Sequence, residues 1–242
     1  MCYNVSYLEK RAERVAKHYG AHFKPEDRSL ELFHVSGFAH PRLNVITEEA
    51  QQLIQQYTWG LIPKWCKDEQ QAKEISVQTL NAKAETVFEK NSFKHSILTK
   101  RCIVIVSGFF EWQTFAKNKY PYYITLKEQP FFSLGGLYEH WTDKQTGVLH
   151  HTFSIITVEA NPLMAKIHNS KKRMPFIIPQ EHEKDWLKND LSESEIRQLM
   201  QPLNDSKMEA FTISKKITDR NHDNNTADVL KPFEYPELAF LE

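Results

Sequence analysis

Residues 101–137 read RCIVIVSGFFEWQTFAKNKYPYYITLKEQPFFSLGGL, and their pattern decides the fold. An apolar run at 102–106 breaks at Ser107 and Gly108, and strand-like runs rich in aromatic and β-branched residues follow at 109–113, 122–126 and 131–137. A parallel crossover needs about a dozen residues or more, which the intervening chain does not provide, so these strands must return antiparallel. Further strand-like runs lie at 57–62, 152–158, 175–178 and 210–213. Helical periodicity is confined to 8–19, stopped by Gly20, to 47–56 and to 192–200, with Thr47 and Ser192 in N-cap positions. Strands outnumber helices, which gives an α+β class. Closing a sheet on itself removes exposed edges, so the expected architecture is a mostly antiparallel, barrel-like β core with peripheral helices.

The chain has 242 residues, enough for one large core, and no Pro/Ser-rich linker or internal repeat divides it. A single domain is therefore expected over 1–217, with 218–242 a polar C-terminal tail packed on it or loosely attached. Lys+Arg and Asp+Glu both total 31, so any polyanion site must be a local patch. No apolar run approaches the roughly 20 residues of a membrane span. The three cysteines, Cys2, Cys66 and Cys102, have no metal-ligand spacing, and no apolar leader opens the chain. The expectation is a cytoplasmic monomer with free thiols, no membrane association, no metal and no cofactor. His150 and His151 adjoin on a strand and so point to opposite faces, and His222 sits in the tail.

Cys2 stands directly behind Met1. Loss of Met1 turns it into a 1,2-aminothiol, whose amine and thiol have reference pKa values near roughly 8 and 8.5. That pair condenses with aldehydes, the amine to a Schiff base and the thiol closing a thiazolidine ring across the same carbon. Position alone still gives an incidental reading, because any small second residue permits Met1 removal.

Four downstream segments bear on the choice. Residues 59–65, WGLIPKW, end a strand with two tryptophans; Trp59 reads as packing, and Trp65 reads equally as packing or as a surface for base stacking. Residues 80–86, LNAKAET, carry Asn81, suited either to orienting a sugar hydroxyl or to capping a helix, and Lys83, which can hold a phosphate. In 108–112, GFFEW, a carboxylate sits among aromatics, and desolvation there raises its pKa toward neutrality. Residues 166–175, KIHNSKKRMP, join the titratable His168 to the densest cation cluster in the chain.

Cys2, WGLIP at 59–63, NAKAET at 81–86, GFFEW at 108–112 and the His168…RMP motif ending at Pro175 follow one another in the order found in SRAP-domain proteins, the SOS-response-associated peptidase family, which the chain resembles from residue 2 to about 213. The resemblance implies covalent attachment to abasic sites in single-stranded DNA. It puts the nucleophile on Cys2, the sugar-orienting amide on Asn81, the proton-shuttling carboxylate on Glu111 and the group assisting sugar-ring opening on His168. It also implies phosphate contacts at Lys83 and Arg173, a DNA-lining surface at Trp59 and Pro63, self-removal of Met1 in a peptidase step, and a lyase side activity. Three features depart from the commoner family pattern: Tyr3 and Asn4 replace Gly and Arg, Lys83 stands where Arg is usual, and the spacing from His168 to Arg173 is enlarged. A cysteine hydrolase acting on other substrates and a noncovalent single-strand-binding module are the alternatives.

Overall fold

A computed structural model of the chain describes residues 2–25, 27, 31–219 and 223–241; Met1 and His222 lie outside them. Its strands are β1 (Asn4–Tyr7), β2 (His22–Phe23), β3 (Leu32–Ser36), β4 (Arg42–Thr47), β5 (Leu53–Trp59), β6 (Asn81–Lys83) and β7 (Arg101–Val106). They continue as β8 (Gly108–Phe115), β9 (Asn118–Leu126), β10 (Phe132–Thr142), β11 (Leu149–Glu159), β12 (Arg173–Pro175), β13 (Ile177–Ile178) and β14 (Met208–Thr212). Helices are short: α1 (Ala12–Tyr19), α2 (Glu69–Gln78), α3 (Ser96–Thr99), α4 (Pro162–Ile167), α5 (Glu183–Trp186) and α6 (Glu193–Leu199). None among the described residues is long and apolar enough to cross a membrane.

The class is α+β, as the pattern of residues 101–137 requires. β10 pairs with β7 and β11, β7 with β4, and β4 with β5, all antiparallel; a parallel pairing of β11 with β5 then closes the ring. Alternate residues of these strands fill the barrel, among them Val45, Tyr57, Trp59, Val104, Leu134 and Phe153, each at most 2 % exposed. A second, antiparallel sheet runs in the order β14-β9-β8-β1-β3. β7 leaves the barrel through Ser107, whose amide donates to the Ser6 carbonyl at 2.7 Å, and becomes β8 of this second sheet. The chain at 101–115 therefore belongs to both layers.

Gly108 sits at that crossing because nothing larger fits: a Cβ there would lie 2.4 Å from the Tyr123 ring, whose hydroxyl bonds Ser6 Oγ at 2.8 Å. Gly108→Ala is expected to lower stability by about 1–3 kcal/mol through overpacking, read as a lower urea midpoint at unchanged m-value.

Two helical expectations hold, with adjusted ends. Gly20 closes α1 in the left-handed region at φ 62°, and Ser192 opens α6 with a reciprocal capping box to Glu195. The helix expected at 47–56 is not there. Thr47 ends β4 and caps nothing with its side chain, Glu48–Ala50 is a single 3-10 turn, and Leu53 begins β5. The helix-favouring run of Glu, Ala and Gln yields to pairing, because β5 lies between β4 and β11 and closes the barrel only when extended. Residues 223–238 pack on the second sheet: Asn225 Oδ1 accepts from the Phe33 amide at 2.8 Å, Phe233 N donates to Thr212 O at 2.9 Å, and Tyr235 OH donates to Ile213 O at 2.8 Å.

Candidate active site

β1 lies between β3 and β8, with Val5 opposite Phe109 and Asn4 opposite Ser36. Antiparallel register with β8 carries Cys2 and Tyr3 toward Glu111. Cys2 is fully buried, and burial, followed by the nearby Glu111 carboxylate, pushes its thiol well above the usual thiol range. The resting thiol is therefore protonated. Tyr3 O accepts from Gly37 N at 2.7 Å, and the Tyr3 ring lies 4.9 Å from that of the exposed Phe38. Asn4, at the position usually held by Arg, points its Oδ1 to His34 Nε2 at 3.0 Å; burial lowers the His34 pKa to about 4, so the ring is neutral and donates.

Glu111 lies on β8 opposite Tyr122 and is 4 % exposed. Burial raises its pKa to about 7, the value expected of a proton shuttle near neutrality. His168 follows α4, a helix started by Pro162 and capped by Asn161, whose Oδ1 accepts from Met164 N at 2.8 Å. Its Nδ1 is 2.9 Å from Arg173 O and 3.7 Å from Glu111 Oε1. A carbonyl only accepts, so the bond to Arg173 assigns the proton to Nδ1 and leaves Nε2 unprotonated. Burial lowers the His168 pKa, which favours this neutral form.

Asn81 opens β6, which runs parallel to β11 with Asn81 opposite Ile155. The helix-cap reading is thus replaced by a strand. Asn81 is 9 % exposed, yet neither its Nδ2 nor its Oδ1 has a hydrogen-bond partner among the described residues. Buried amides are ordinarily paired, and one left open at both ends is suited to a ligand. Asn81→Ala is therefore expected to leave stability unchanged or slightly higher, since no intramolecular bond is lost. A fall of about 1 kcal/mol or more in urea denaturation would show that the amide is engaged within the fold.

The remaining residues differ in exposure. Lys83 is exposed, but Arg173 is half-buried: its guanidinium pairs with Glu85 and donates to the Thr157 carbonyl and to Thr157 Oγ1. Trp59 is fully buried, stacked on Phe153 at 6.0 Å, with its Nε1 donating to Leu80 O at 2.8 Å, and Pro63 is buried beside it in sequence. Trp59 cannot line a DNA surface directly; a Cβ on Gly37 would lie 3.1 Å from its ring, so it supports the loop bearing Phe38 from beneath. Among the described residues the exposed aromatics are Phe38, Trp65 and Phe233. Sequence reading missed Phe38, although an aromatic in the Ser-Gly-Phe-Ala-His-Pro turn at 36–41 was a usable signal; it also missed Glu85 as the partner of Arg173 and His34 as that of Asn4, neither of which has a local signature.

A barrel-cored α+β protein thus brings together a buried cysteine, a carboxyl of raised pKa and a histidine of lowered pKa. The family model for SOS response associated peptidase (SRAP) matches residues 1–220, and the chain belongs to that family. It is 37% identical over 190 residues to a Bacillus subtilis protein named abasic site processing protein YoaM, covering 78% of this chain and 79% of that one. YoqW of the same organism, also named an abasic site processing protein, is 34% identical over 217 residues, covering 85% and 92%. A solved structure from Bacteroides thetaiotaomicron is 40% identical with a TM-score of 0.89, covering 96% of this chain and 100% of that one. A Bordetella bronchiseptica structure at 22% identity and TM-score 0.75, covering 88% and 100%, shares the fold.

Proposed function

We propose that this protein processes abasic sites in DNA by covalent capture through Cys2. The observation that carries the reading is Glu111: a buried carboxyl of pKa about 7, 3.7 Å from His168 and close enough to raise the Cys2 thiol. The names of the relatives supply the substrate class.

Hydrolysis of the Met1–Cys2 peptide bond frees the Cys2 amine, with Glu111 assisting. The opened abasic sugar presents an aldehyde. Because the thiol is protonated at rest, the amine adds first, giving a carbinolamine that loses water to the imine. The sulfur then adds to the imine carbon while its proton passes through Glu111 to the imine nitrogen, closing the thiazolidine. One water is lost overall. His168, neutral and unprotonated at Nε2, accepts the proton of the sugar hydroxyl as the ring opens and returns it to the released ring oxygen, and the open amide of Asn81 orients the sugar. Lys83 meets a flanking phosphate, and exposed Phe38 and Trp65 offer faces on which unpaired bases stack, which favours a single strand. Arg173, held by Glu85 and Thr157, shapes the site through its carbonyl on His168.

Intact mass tests this. After incubation with an abasic single-stranded oligonucleotide, the expected species is protein without Met1 plus oligonucleotide minus one water, stable to heat and denaturant. Protein of unchanged mass would overturn the reading, and noncovalent binding without that species would favour the binding-module alternative.

A further inference from the structure

Cations are balanced over the whole chain but not within it. Segments 112–127 and 160–180 carry Lys117, Lys119, Lys127, Lys166, Lys171, Lys172 and Arg173 and not one Asp or Glu. The fold joins the two segments. Thr114 is opposite Lys119 in the β8–β9 ladder, and its amide and carbonyl both bond Asn169: Thr114 N donates to Oδ1 at 3.0 Å, and Nδ2 donates to Thr114 O at 2.8 Å. The Asn169 side-chain amide thus stands in for the peptide of a neighbouring strand, on an edge that β1 leaves uncovered beyond Phe109. Gln113 Nε2 adds a bond to Lys166 O at 3.3 Å.

The loop at 169–172 is fixed from its other end too. Lys172 N donates to His168 O at 2.7 Å, and Ala160 N donates to Lys172 O at 3.1 Å, with Lys172 held in the left-handed region at φ 49°. Four exposed lysines therefore flank one junction: Lys117 and Lys119 on the hairpin, Lys171 and Lys172 on the loop. None of them forms an ion pair with a carboxylate among the described residues. The junction adjoins the site, since Glu111 and Thr114 share β8 and the Lys171 charge reaches His168.

We propose that the 169–172 loop and the β8–β9 hairpin form one cationic ridge that binds the phosphodiester backbone of the strand on the hairpin side of Cys2, a phosphate site separate from Lys83. The ridge rests on the single-strand reading of the function. It also supplies, by an enlarged loop, a cation beside His168, where Asn4 brings none from β1. Asn169 is a positioning residue: it carries no charge and holds the charges in place.

The test uses the full chain and a single-stranded oligonucleotide with a tetrahydrofuran abasic analogue, which has no aldehyde. Affinity is read by fluorescence anisotropy across salt. Each single-strand phosphate contact contributes about 0.7 to the slope of log K against log salt, so the combined variant Lys117→Ala, Lys119→Ala, Lys171→Ala, Lys172→Ala is expected to lose a slope of roughly 2–3. Asn169→Ala is expected to weaken binding several-fold with every lysine retained. The difference between wild type and the lysine variant should vanish on oligonucleotides truncated on one side of the lesion and persist on those truncated on the other. An unchanged slope, or a difference insensitive to truncation on either side, overturns the ridge. A natural abasic oligonucleotide keeps the two readings apart: wild type that forms the adduct while the slopes are equal removes the ridge alone, and wild type that forms none while the slopes differ removes the capture chemistry alone.

Discussion

Cys2→Ala is expected to abolish the heat-stable adduct with abasic single-stranded DNA while leaving affinity for the tetrahydrofuran analogue within a few-fold of wild type. The fully buried side chain faces no exposed surface, so its loss removes chemistry before it removes binding. Cys2→Ser separates the two steps. It keeps an N-terminal amine and loses the sulfur, so a Schiff base should form that borohydride traps and that reverses without it. An adduct of undiminished yield and stability from Cys2→Ala would remove Cys2 from the reaction.

Glu111→Gln carries the second large effect, a fall of about 10²–10⁴-fold in the single-turnover rate of adduct formation, the usual contribution of a positioned acid–base group. The wild-type rate should rise with pH through a midpoint near 7, where the Glu111 carboxyl ionises, and the variant should lose that rise. Stability moves the other way. The carboxyl shifts up from 4.5 to about 7 on folding, so the folded chain holds this proton more tightly than the unfolded one. Folding is favoured fully below about pH 4.5, less so as the pH climbs toward 7, and at a constant penalty above it. Glutamine does not ionise, and Glu111→Gln should therefore be more stable than wild type at pH 8, by up to roughly 3 kcal/mol at 1.36 kcal/mol per unit, and indistinguishable at pH 4. Equal urea midpoints at both pH values would contradict a buried, ionising Glu111.

The raised pKa of Glu111 was legible in GFFEW, although the cause is only partly the flanking rings. Strand alternation turns Phe110 to the opposite face, where it packs with Tyr123, Ile213 and Ile217; Glu111 is closed in by elements remote in sequence, His168 and the strand beginning at Asn4. The antiparallel core was legible because 101–137 leaves no room for crossovers. The identity of β5 was not, since EEAQQL favours a helix, and it is pairing with β4 and with β11, about a hundred residues away, that makes the segment from Leu53 a strand. Trp59 illustrates the limit of carrying a motif onto a surface: WGLIP marks the segment, whereas burial under Gly37 decides which tryptophan reaches solvent. Asn81 reads as a cap until β11 is seen to draw it into a sheet, and the tie between Asn169 and Thr114 needs a register that no local pattern encodes.

The placing of β1 between β3 and β8 also fixes an order in time. During synthesis Cys2 leaves the ribosome well ahead of its surroundings: one strand beside β1 begins only at Gly108, and His168 and Arg173 arrive later still. Contacts so distant in sequence form late in folding. On the proposed function, a nascent chain carries Cys2 without Glu111 until β8 is made and without His168 until after β11, so competence comes only once the barrel strands are already complete.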